Sequence, residues 1–416
     1  MNSHYYYRCS QCGQTYTADE IEKAFVYLCP SCGAAPKNAP LKGVLEILYD
    51  YRSLKRELNK ERLLTATPGI PWYYPQLWPL QFDSRTRNLS KIDVNLLKNL
   101  TLPPNQLLRF EWQGNPFLLM DETRNPTFSF KDRASILVVL KALQMGIREI
   151  TAASTGNAGS SLAGICARVG LQAQIWVPQT IPPAKLLQIQ AYGATIHKVA
   201  GDYDTAFDQS LQVSRRNRWY NRNTAYNPLT IEGKKSVAYD LFIQTGGELP
   251  AIIFVPVGDG VIISGLYKGL SELQQLGWID ELPQLIAVQA VGSNALVRFL
   301  QSGRFEFQPA HTAADSISAG APRNLYLAAR AVQQTGGRAI AVSDQDIFRA
   351  QGLLARKFGV LAEPAAAASF AGYLQWREEE SLPQNKSFLP LIMITGNGLK
   401  DTEALKLSLS FKENKN

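Results

Sequence analysis

Residues 251–277, AIIFVPVGDGVIISGLYKGLSELQQLG, carry the pattern that decides the fold class. The first seven residues form a short, mostly apolar run with β-branched side chains, which is typical of a buried strand. GDG follows as a turn, and apolar residues then recur at helical spacing. A strand joined to a helix by so short a turn is one half of a strand–helix–strand crossover.

The same order of strand and helix recurs along the chain. Further strand-like runs are EITAAS (149–154), AQIWVP (173–178), LIAVQA (285–290), AIAVS (339–343) and LPLIMIT (389–395). Because helical patterns alternate with these runs, we predict an α/β protein with parallel sheets covered by helices. In such sheets ligands bind beyond the carboxyl ends of the strands, so the loops that follow them are the candidate sites.

The composition is that of a globular protein without a membrane span. The 416 residues, 45% apolar and 19% charged, suit two or three globular domains. We find no run of 18 apolar residues and no signal peptide, which predicts a cytoplasmic protein without a membrane span. A net charge of +8 does not by itself indicate nucleic acid. The stretch SRRNRWYNRN (214–223) could bind a single strand, but a basic helix end followed by a strand is favoured.

Four of the five cysteines form the pattern C-x2-C-x16-C-x2-C. They are Cys9, Cys12, Cys29 and Cys32. Two CxxC pairs at this separation favour a closed, structural zinc ribbon. Two disulfides, or four thiols without metal, are the alternatives. Cys166 lies in an apolar helical pattern and is interpreted as a small buried side chain.

Three loops after predicted strands have the composition of ligand sites. STGNAGS (154–160) offers backbone amides, hydroxyls and one side-chain amide to a carboxylate or phosphate. GDG (258–260) opens a helix and can approach a dianion closely, provided that the Asp259 carboxylate points away from it. TGNG (395–398) could present the Thr395 hydroxyl to a ring nitrogen. Taken singly, each loop is more often only a turn.

A lysine gives these loops a common interpretation. Lys131 lies in NPTFSFKDRA (125–134), where it is either a surface charge or a catalytic amine. Together with an anion-binding loop and a partner for a ring nitrogen, it suggests pyridoxal 5′-phosphate, whose aldehyde bonds to lysine.

The ordered blocks of this sequence resemble those of threonine synthase and its relatives. The blocks are NPTFSFKDRA, STGNAGSSLAG, NPLTIEGKKSVAYD, VPVGDG, AEPAAAA and ITGNGLKD. The resemblance runs from about residue 9 to 402 and includes the N-terminal CxxC ribbon. It implies a fold-type II pyridoxal-phosphate enzyme of the tryptophan synthase β superfamily, with the cofactor between two three-layer α/β domains.

The resemblance also implies roles for single residues. Lys131 would be the catalytic residue that holds the cofactor and moves protons, Asn157 would bind the cofactor's 3′-oxygen, and Thr395 would face its pyridine nitrogen. Its phosphate would be bound by five consecutive residues, Gly258, Asp259, Gly260, Val261 and Ile262. The substrate would be bound at the start of the first loop, by Ser154, Thr155 and Ala158.

Three features depart from the family pattern. Ala158 stands where the family has threonine, and Asp208 falls where a family arginine contacts the substrate phosphate. Arg215 or Arg216 could replace that arginine. The segment TAADSISAGAPRN (312–324) also differs, and is either a substrate-recognition segment, through Asp315, Ser316, Ser318 and Arg323, or a polar interdomain loop.

The resemblance therefore predicts a carbon–oxygen lyase that eliminates phosphate from O-phosphohomoserine and adds water to give L-threonine. The alternatives are a cysteate synthase-like enzyme acting on O-phosphoserine, a serine or threonine ammonia-lyase, and a non-catalytic zinc-ribbon binding protein. The expected partner is a small amino-acid substrate, with no nucleic acid or membrane. A homodimer is expected because dimers are common in the superfamily.

The expected organisation has four parts. A zinc ribbon spans residues 1–36, and a helical and irregular extension, with a helix over 41–64, spans 37–107. The large cofactor-binding domain is formed by 108–135 and 225–416, and a small mobile α/β domain by 136–224.

Overall fold

Strands and helices alternate along most of this computed structural model, which describes residues 3–70, 74–82, 89–154, 156–179, 181, 183–201, 203–379 and 389–410. The strands are β1 (Tyr5–Cys9), β2 (Thr15–Thr17), β3 (Leu45–Tyr49), β4 (Leu107–Trp112), β5 (Asn115–Asp121), β6 (Glu149–Ala153), β7 (Gln172–Pro178), β8 (Thr195–Val199), β9 (Tyr220–Asn221), β10 (Ile252–Pro256), β11 (Gln284–Ala290), β12 (Arg338–Val342) and β13 (Leu391–Ile394). The helices are α1 (Ala18–Glu22), α2 (Tyr51–Glu57), α3 (Lys60–Leu64), α4 (Val94–Lys98), α5 (Lys131–Gln144), α6 (Asn157–Arg168), α7 (Pro183–Ala191), α8 (Tyr203–Asn217), α9 (Leu229–Glu232), α10 (Ser236–Gln244), α11 (Val261–Gln275), α12 (Ala295–Ser302), α13 (Leu325–Gln334), α14 (Asp344–Phe358), α15 (Pro364–Glu379) and α16 (Thr402–Ser410).

The larger sheet has six strands in the order β12-β11-β10-β13-β5-β4. Its neighbours are parallel except for the edge pair β4 and β5. Along β10 successive side chains enter different cores: Ile253 and Val255 belong to one hydrophobic cluster, and Ile252 and Phe254 to the other. A strand buried on both faces needs helices on both sides, which confirms the predicted α/β class.

The smaller sheet has four parallel strands in the order β8-β7-β6-β9. The basic stretch 214–223 forms the end of α8 and the strand β9, as favoured from the sequence. Tyr220 and Arg222 of this stretch are buried. The boundaries expected at residues 136 and 224 stay a prediction.

The N-terminal part forms a three-stranded antiparallel sheet in the order β2-β1-β3. The helix expected over 41–64 was wrong at its start, because residues 45–49 form β3 and pair with β1. In LEILY the first, third and fifth side chains are buried, which is the two-residue period of a strand. The sheet thus continues beyond the expected end of the ribbon at residue 36. In the described ranges, no helix combines the length and apolarity needed to cross a bilayer.

Three neighbouring strands bring the predicted site loops together. β10, β13 and β5 are adjacent and parallel, so their carboxyl ends lie at one edge of the sheet. GDG (258–260) follows β10 and TGNG (395–398) follows β13. Lys131 begins α5, after the turn that leaves β5.

A buried ion network fixes the start of α5. The Arg133 guanidinium, with no exposed side-chain area, donates to Glu122 Oε1 at 2.7 Å and to Asp240 Oδ2 at 2.6 Å. The preceding residue, Asp132, accepts from the Thr127 amide at 2.7 Å. The two charged residues that follow Lys131 are therefore held inside the protein, while Lys131 itself reaches the cavity described below.

Replacing Arg133 by methionine is expected to destabilise the fold by about 3–5 kcal/mol, because Glu122 and Asp240 would then be buried without their cation. Urea denaturation followed by circular dichroism measures the loss. Arg109→Met, on the exposed side of β4, is the matched control and should shift stability by less than about 0.5 kcal/mol. Equal losses in both variants would contradict the assigned role of the network.

Candidate active site

A cavity of about 410 Å³ lies between the carboxyl edges of the two parallel sheets. The start of α5, the loop after β10, Thr395 after β13, the start of α6 and the segment 315–323 all contribute to its lining. The sequence-predicted residues that line it are Lys131, Ser154, Asn157, Ala158, Gly258, Asp259, Gly260, Val261, Ile262 and Thr395, together with Asp315, Ser316, Ser318 and Arg323 of the segment 312–324. Thr155 lies outside the described residues.

Lys131 is the first residue of α5 and lines the cavity. Its amine has no hydrogen-bond partner among the described residues. Burial lowers the pKa of Lys131 below its usual 10.5; the Glu363 carboxylate opposes this shift and Arg222 adds to it. A lysine with a lowered pKa holds more neutral, nucleophilic amine at a given pH.

The loop after β10 is shaped to take an anion. Gly260 has φ +83°, and a Cβ at Gly258 would lie 2.7 Å from the Cα of Ile317. The first helical bond of α11 runs from the Ser264 amide to the Gly260 carbonyl, so the amides before it have no helical partner. Backbone amides at the start of a 15-residue helix attract a dianion.

Asp259 is held by two backbone amides of the neighbouring segment. Its Oδ1 accepts a hydrogen bond from the Arg323 amide at 3.1 Å, and its carbonyl accepts one from the Asn324 amide at 3.0 Å. The carboxylate is therefore engaged by the backbone of the segment 312–324, and it fixes that segment beside the loop.

Asn157 contacts a carboxylate to which the sequence analysis gave no role. Its Nδ2 donates to Glu363 Oε1 and Oε2 at 2.8 and 2.9 Å, and to Ser316 Oγ at 3.1 Å. Glu363 is buried and is the one charged residue of the block AEPAAAA. A glutamate in an otherwise apolar block, before a helix-opening proline, was the signal that the sequence offered. The side chain of Glu363 also occupies the space where a Cβ at position 396 would lie, so Gly396 allows its approach.

Thr395 is buried beside Lys131. The Phe130 amide donates to the Thr395 carbonyl at 2.9 Å, and the Asn397 amide donates to the Phe128 carbonyl at 3.0 Å. These bonds tie the loop after β13 to the turn before α5, and they place the Thr395 residue in the cavity lining.

Ser154 uses its hydroxyl oxygen within its own loop. Oγ accepts from the Gly156 amide at 3.2 Å and from the Gly159 amide at 2.9 Å. These bonds support the start of α6, whose second residue, Ala158, lines the cavity. The Ser154 hydroxyl proton can still be donated to a ligand.

Arg323 closes one side of the cavity. Its guanidinium pairs with Asp204 in the first turn of α8, lies 4.9 Å from the ring centre of Phe207, and donates to the Pro36 carbonyl at 3.3 Å. The Leu41 amide donates to the Arg323 carbonyl at 3.1 Å. This one residue thus connects the segment 312–324 with α8 and with the N-terminal part.

The four N-terminal cysteines form a second cluster, away from the cavity. Their Sγ atoms all lie within 4.8 Å of one another, and all four are free thiols. The amides of Gln11 and Cys12 point at Cys9 Sγ at 3.4 Å each. Tetrahedral Zn–S bonds of about 2.3 Å separate sulfurs by about 3.8 Å, which this cluster can match.

Comparison with known proteins identifies a matching family model and similar proteins along nearly the whole chain. The family model described as "Pyridoxal-phosphate dependent enzyme" matches residues 103–392. Threonine synthase of Methanocaldococcus jannaschii is 34% identical over 401 residues, which are 95% of this chain and 93% of that protein. Threonine synthase of Methanosarcina acetivorans is 31% identical over 405 residues, 96% of this chain and 93% of that one.

The chain belongs to the pyridoxal-phosphate dependent enzymes, in the threonine synthase-like family. Solved structures agree on the fold. Maize serine racemase superposes with a TM-score of 0.63 at 20% identity, covering 74% of this chain and 92% of that one. A threonine deaminase of T.th. gives a TM-score of 0.58 at 23% identity, covering 68% of this chain and 87% of that one. The predicted fold-type II class is confirmed.

The residues of the cavity fit the family's cofactor. The chemistry requires a lysine amine, donors for a phosphate dianion and a group for the ring nitrogen. Lys131, the amides that open α11, and Thr395 supply these around a single cavity. Glycines at 258 and 260 provide the close backbone approach that a phosphate needs.

The rate at which the apoprotein captures added pyridoxal phosphate should rise with pH. Its apparent pKa should lie below 10.5, because the neutral Lys131 amine is the reacting form and burial lowers the pKa of Lys131. Glu363→Gln should lower this apparent pKa further, since its carboxylate favours the charged lysine. The rate of growth of the visible absorption band, measured against pH, tests both statements. Lys131→Ala should show no band, and an upward shift in Glu363→Gln would contradict the electrostatic argument.

Proposed function

We propose that this enzyme converts O-phospho-L-homoserine and water into L-threonine and inorganic phosphate. The supporting observation is that Lys131, the helix start after residues 258–260 and Arg323, whose guanidinium pairs with Asp204 of α8, all line one cavity. Two threonine synthases that align with nearly the whole chain support the same reaction.

In this proposal each cavity residue has a task. Bound pyridoxal phosphate supplies an electron sink for negative charge at the substrate carbons. Lys131 would hold the cofactor through its amine and would move protons between substrate carbons. The amides of residues 258–262 would bind the phosphate, Asn157 would hold the ring, and the neutral Thr395 hydroxyl would be the partner of the pyridine nitrogen.

We propose that the cation for the substrate phosphate comes from the segment 312–324, one of the departures from the family pattern. Asp208, at the position of the family arginine, is exposed; Arg215 donates to Tyr226 Oη at 3.2 Å, and Arg216 is exposed. Arg323 instead reaches the first turns of α8 from the segment 312–324. In our proposal it replaces the family arginine, and Asp204 holds it until the substrate phosphate takes its place.

Arg323→Met should raise KM for O-phospho-L-homoserine by about 10- to 100-fold, since a charge-assisted hydrogen bond contributes about 1.5–3 kcal/mol. Asp204→Asn removes the competing carboxylate and should leave KM unchanged or lower it. Steady-state kinetics with separate kcat and KM values distinguishes the two variants. An unchanged KM in Arg323→Met would exclude contact with the substrate phosphate.

The substrate is tested directly by incubating the enzyme with four amino acids: O-phospho-L-homoserine, O-phospho-L-serine with sulfite, L-serine and L-threonine. We expect threonine and phosphate in equal amounts from the first, and neither product with Lys131→Ala. Cysteate from O-phospho-L-serine, or ammonia and a keto acid from serine or threonine, would assign the enzyme to another branch.

We propose further that the four-cysteine cluster binds one structural Zn²⁺. The sulfur spacing and the amides aimed at Cys9 support a closed thiolate site.

Elemental analysis should give about one zinc per chain, and Cys12→Ser should lose the zinc and lower the melting temperature. Because Pro36 and Leu41 contact Arg323, metal loss should also raise KM for the substrate. Iron, or no metal, in the purified protein would contradict the proposal.

A further inference from the structure

A second lysine lines the active-site cavity. Lys234 is 1% exposed and lies in the turn Gly233–Lys235 between α9 and α10. Its Nζ donates to the Thr230 carbonyl at 3.0 Å, which is its one hydrogen bond within the described part of the chain. An ammonium group has three donors, so this lysine has donors to spare on the cavity side.

The stem of Lys234 packs against the helix that opens at the anion-binding loop. A Cβ added at Gly265 of α11 would come 2.5 Å from the Lys234 Cβ and 3.0 Å from the Ile231 carbonyl oxygen. Gly265 lies one turn into α11, just after residues 258–262. Glycine at 265 therefore lets the Lys234 backbone approach the start of this helix.

The adjacent lysine shows what a purely structural role looks like. Lys235 is also fully buried, but it pairs with Glu232 and with Glu272, the latter at 2.9 Å, and donates to the Leu77 carbonyl at 2.6 Å. Its charge is neutralised within the protein. Lys234 has no ion pair in the described residues, although it is equally buried.

The charges around Lys234 are mostly of its own sign. Arg222 and Lys131 are close enough to lower its pKa, in addition to burial, and Asp259 alone opposes them. Asp259 is already engaged by the Arg323 amide. Buried cations in such a cluster are costly unless an anion joins them, and a phosphate dianion has the required charge.

We propose that Lys234 is a phosphate-binding residue of this site, acting as the side-chain cation beside the backbone amides of residues 258–262. The inference rests on the cofactor position in the proposed function. The geometry favours the cofactor's phosphate, because Lys234 packs on the helix that begins at that loop. The proposed substrate also carries a phosphate, which has the same charge and donor requirements. The experiment below distinguishes the cofactor's phosphate from the substrate's phosphate.

The test compares two aldehydes on the apoprotein: pyridoxal phosphate and 5′-deoxypyridoxal, which lacks the phosphate arm. In Lys234→Met the dissociation constant for pyridoxal phosphate should rise about 10- to 100-fold, while that for 5′-deoxypyridoxal stays unchanged. Lys198→Met, an exposed lysine of β8, is the charge control and should change neither. Titration of the visible band gives both constants without the catalytic reaction.

Each remaining outcome is decisive. Equal weakening for both aldehydes would overturn the proposal and assign Lys234 a structural role. An unchanged affinity for pyridoxal phosphate, with a raised KM for O-phospho-L-homoserine, would move its contact to the substrate's phosphate and overturn the cofactor assignment. Lys234→Met could weaken only pyridoxal phosphate binding while the unaltered enzyme makes no threonine. That result would support phosphate binding by Lys234 and refute the proposed reaction.

A measurement on the unaltered protein covers the case in which Lys234→Met does not fold. Calorimetry in buffers of different ionisation enthalpy, repeated over about pH 7 to 10, counts the protons taken up on binding. Within this range pyridoxal phosphate should cause more uptake than 5′-deoxypyridoxal, because a neighbouring dianion opposes the lowering of the Lys234 pKa. Equal uptake by the two aldehydes at every pH would contradict the proposal.

Discussion

The guanidinium of Arg133 lies between two buried carboxylates, Glu122 before α5 and Asp240 in α10. This contact fixes the first turn of α5 against the body of the protein. Asp132 is held on the other side by Thr127 and Ser161. Asp132 and Arg133, the two residues that follow Lys131, are thus both fixed, and Lys131 lines the cavity. The position of Lys131 relative to the loops after β10 and β13 is therefore set before any ligand binds.

The second organising feature is the distribution of charge in the cavity. Glu363 accepts from Asn157, Asp259 accepts from the Arg323 amide, and Asp204 pairs with the Arg323 guanidinium, whereas Lys131 and Lys234 form no ion pair within the described residues. Lys234 packs against α11, and the Arg323 guanidinium pairs with Asp204 of α8. Since Pro36 accepts a hydrogen bond from Arg323, the N-terminal part is connected to the cavity lining.

The sequence predicted the parts of the structure that depend on local pattern. Buried strands such as β10 are short apolar runs, and Lys131 and the glycine loops follow strands in order. β3 was missed because its alternation is only five residues long and helices follow it. The pairs Asn157–Glu363 and Asp204–Arg323 span 206 and 119 residues, so only the folded chain shows that they meet. Lys234 differs from Lys235 solely in its tertiary surroundings.

The most direct test of the central claim is to locate the covalent attachment of the cofactor. The holoenzyme is reduced with borohydride, which fixes the cofactor to its lysine, then digested and mapped by mass spectrometry. We predict a single pyridoxyl adduct on the peptide that contains Lys131. An adduct on Lys234, the other lysine of the cavity lining, or no adduct on either, would contradict the account.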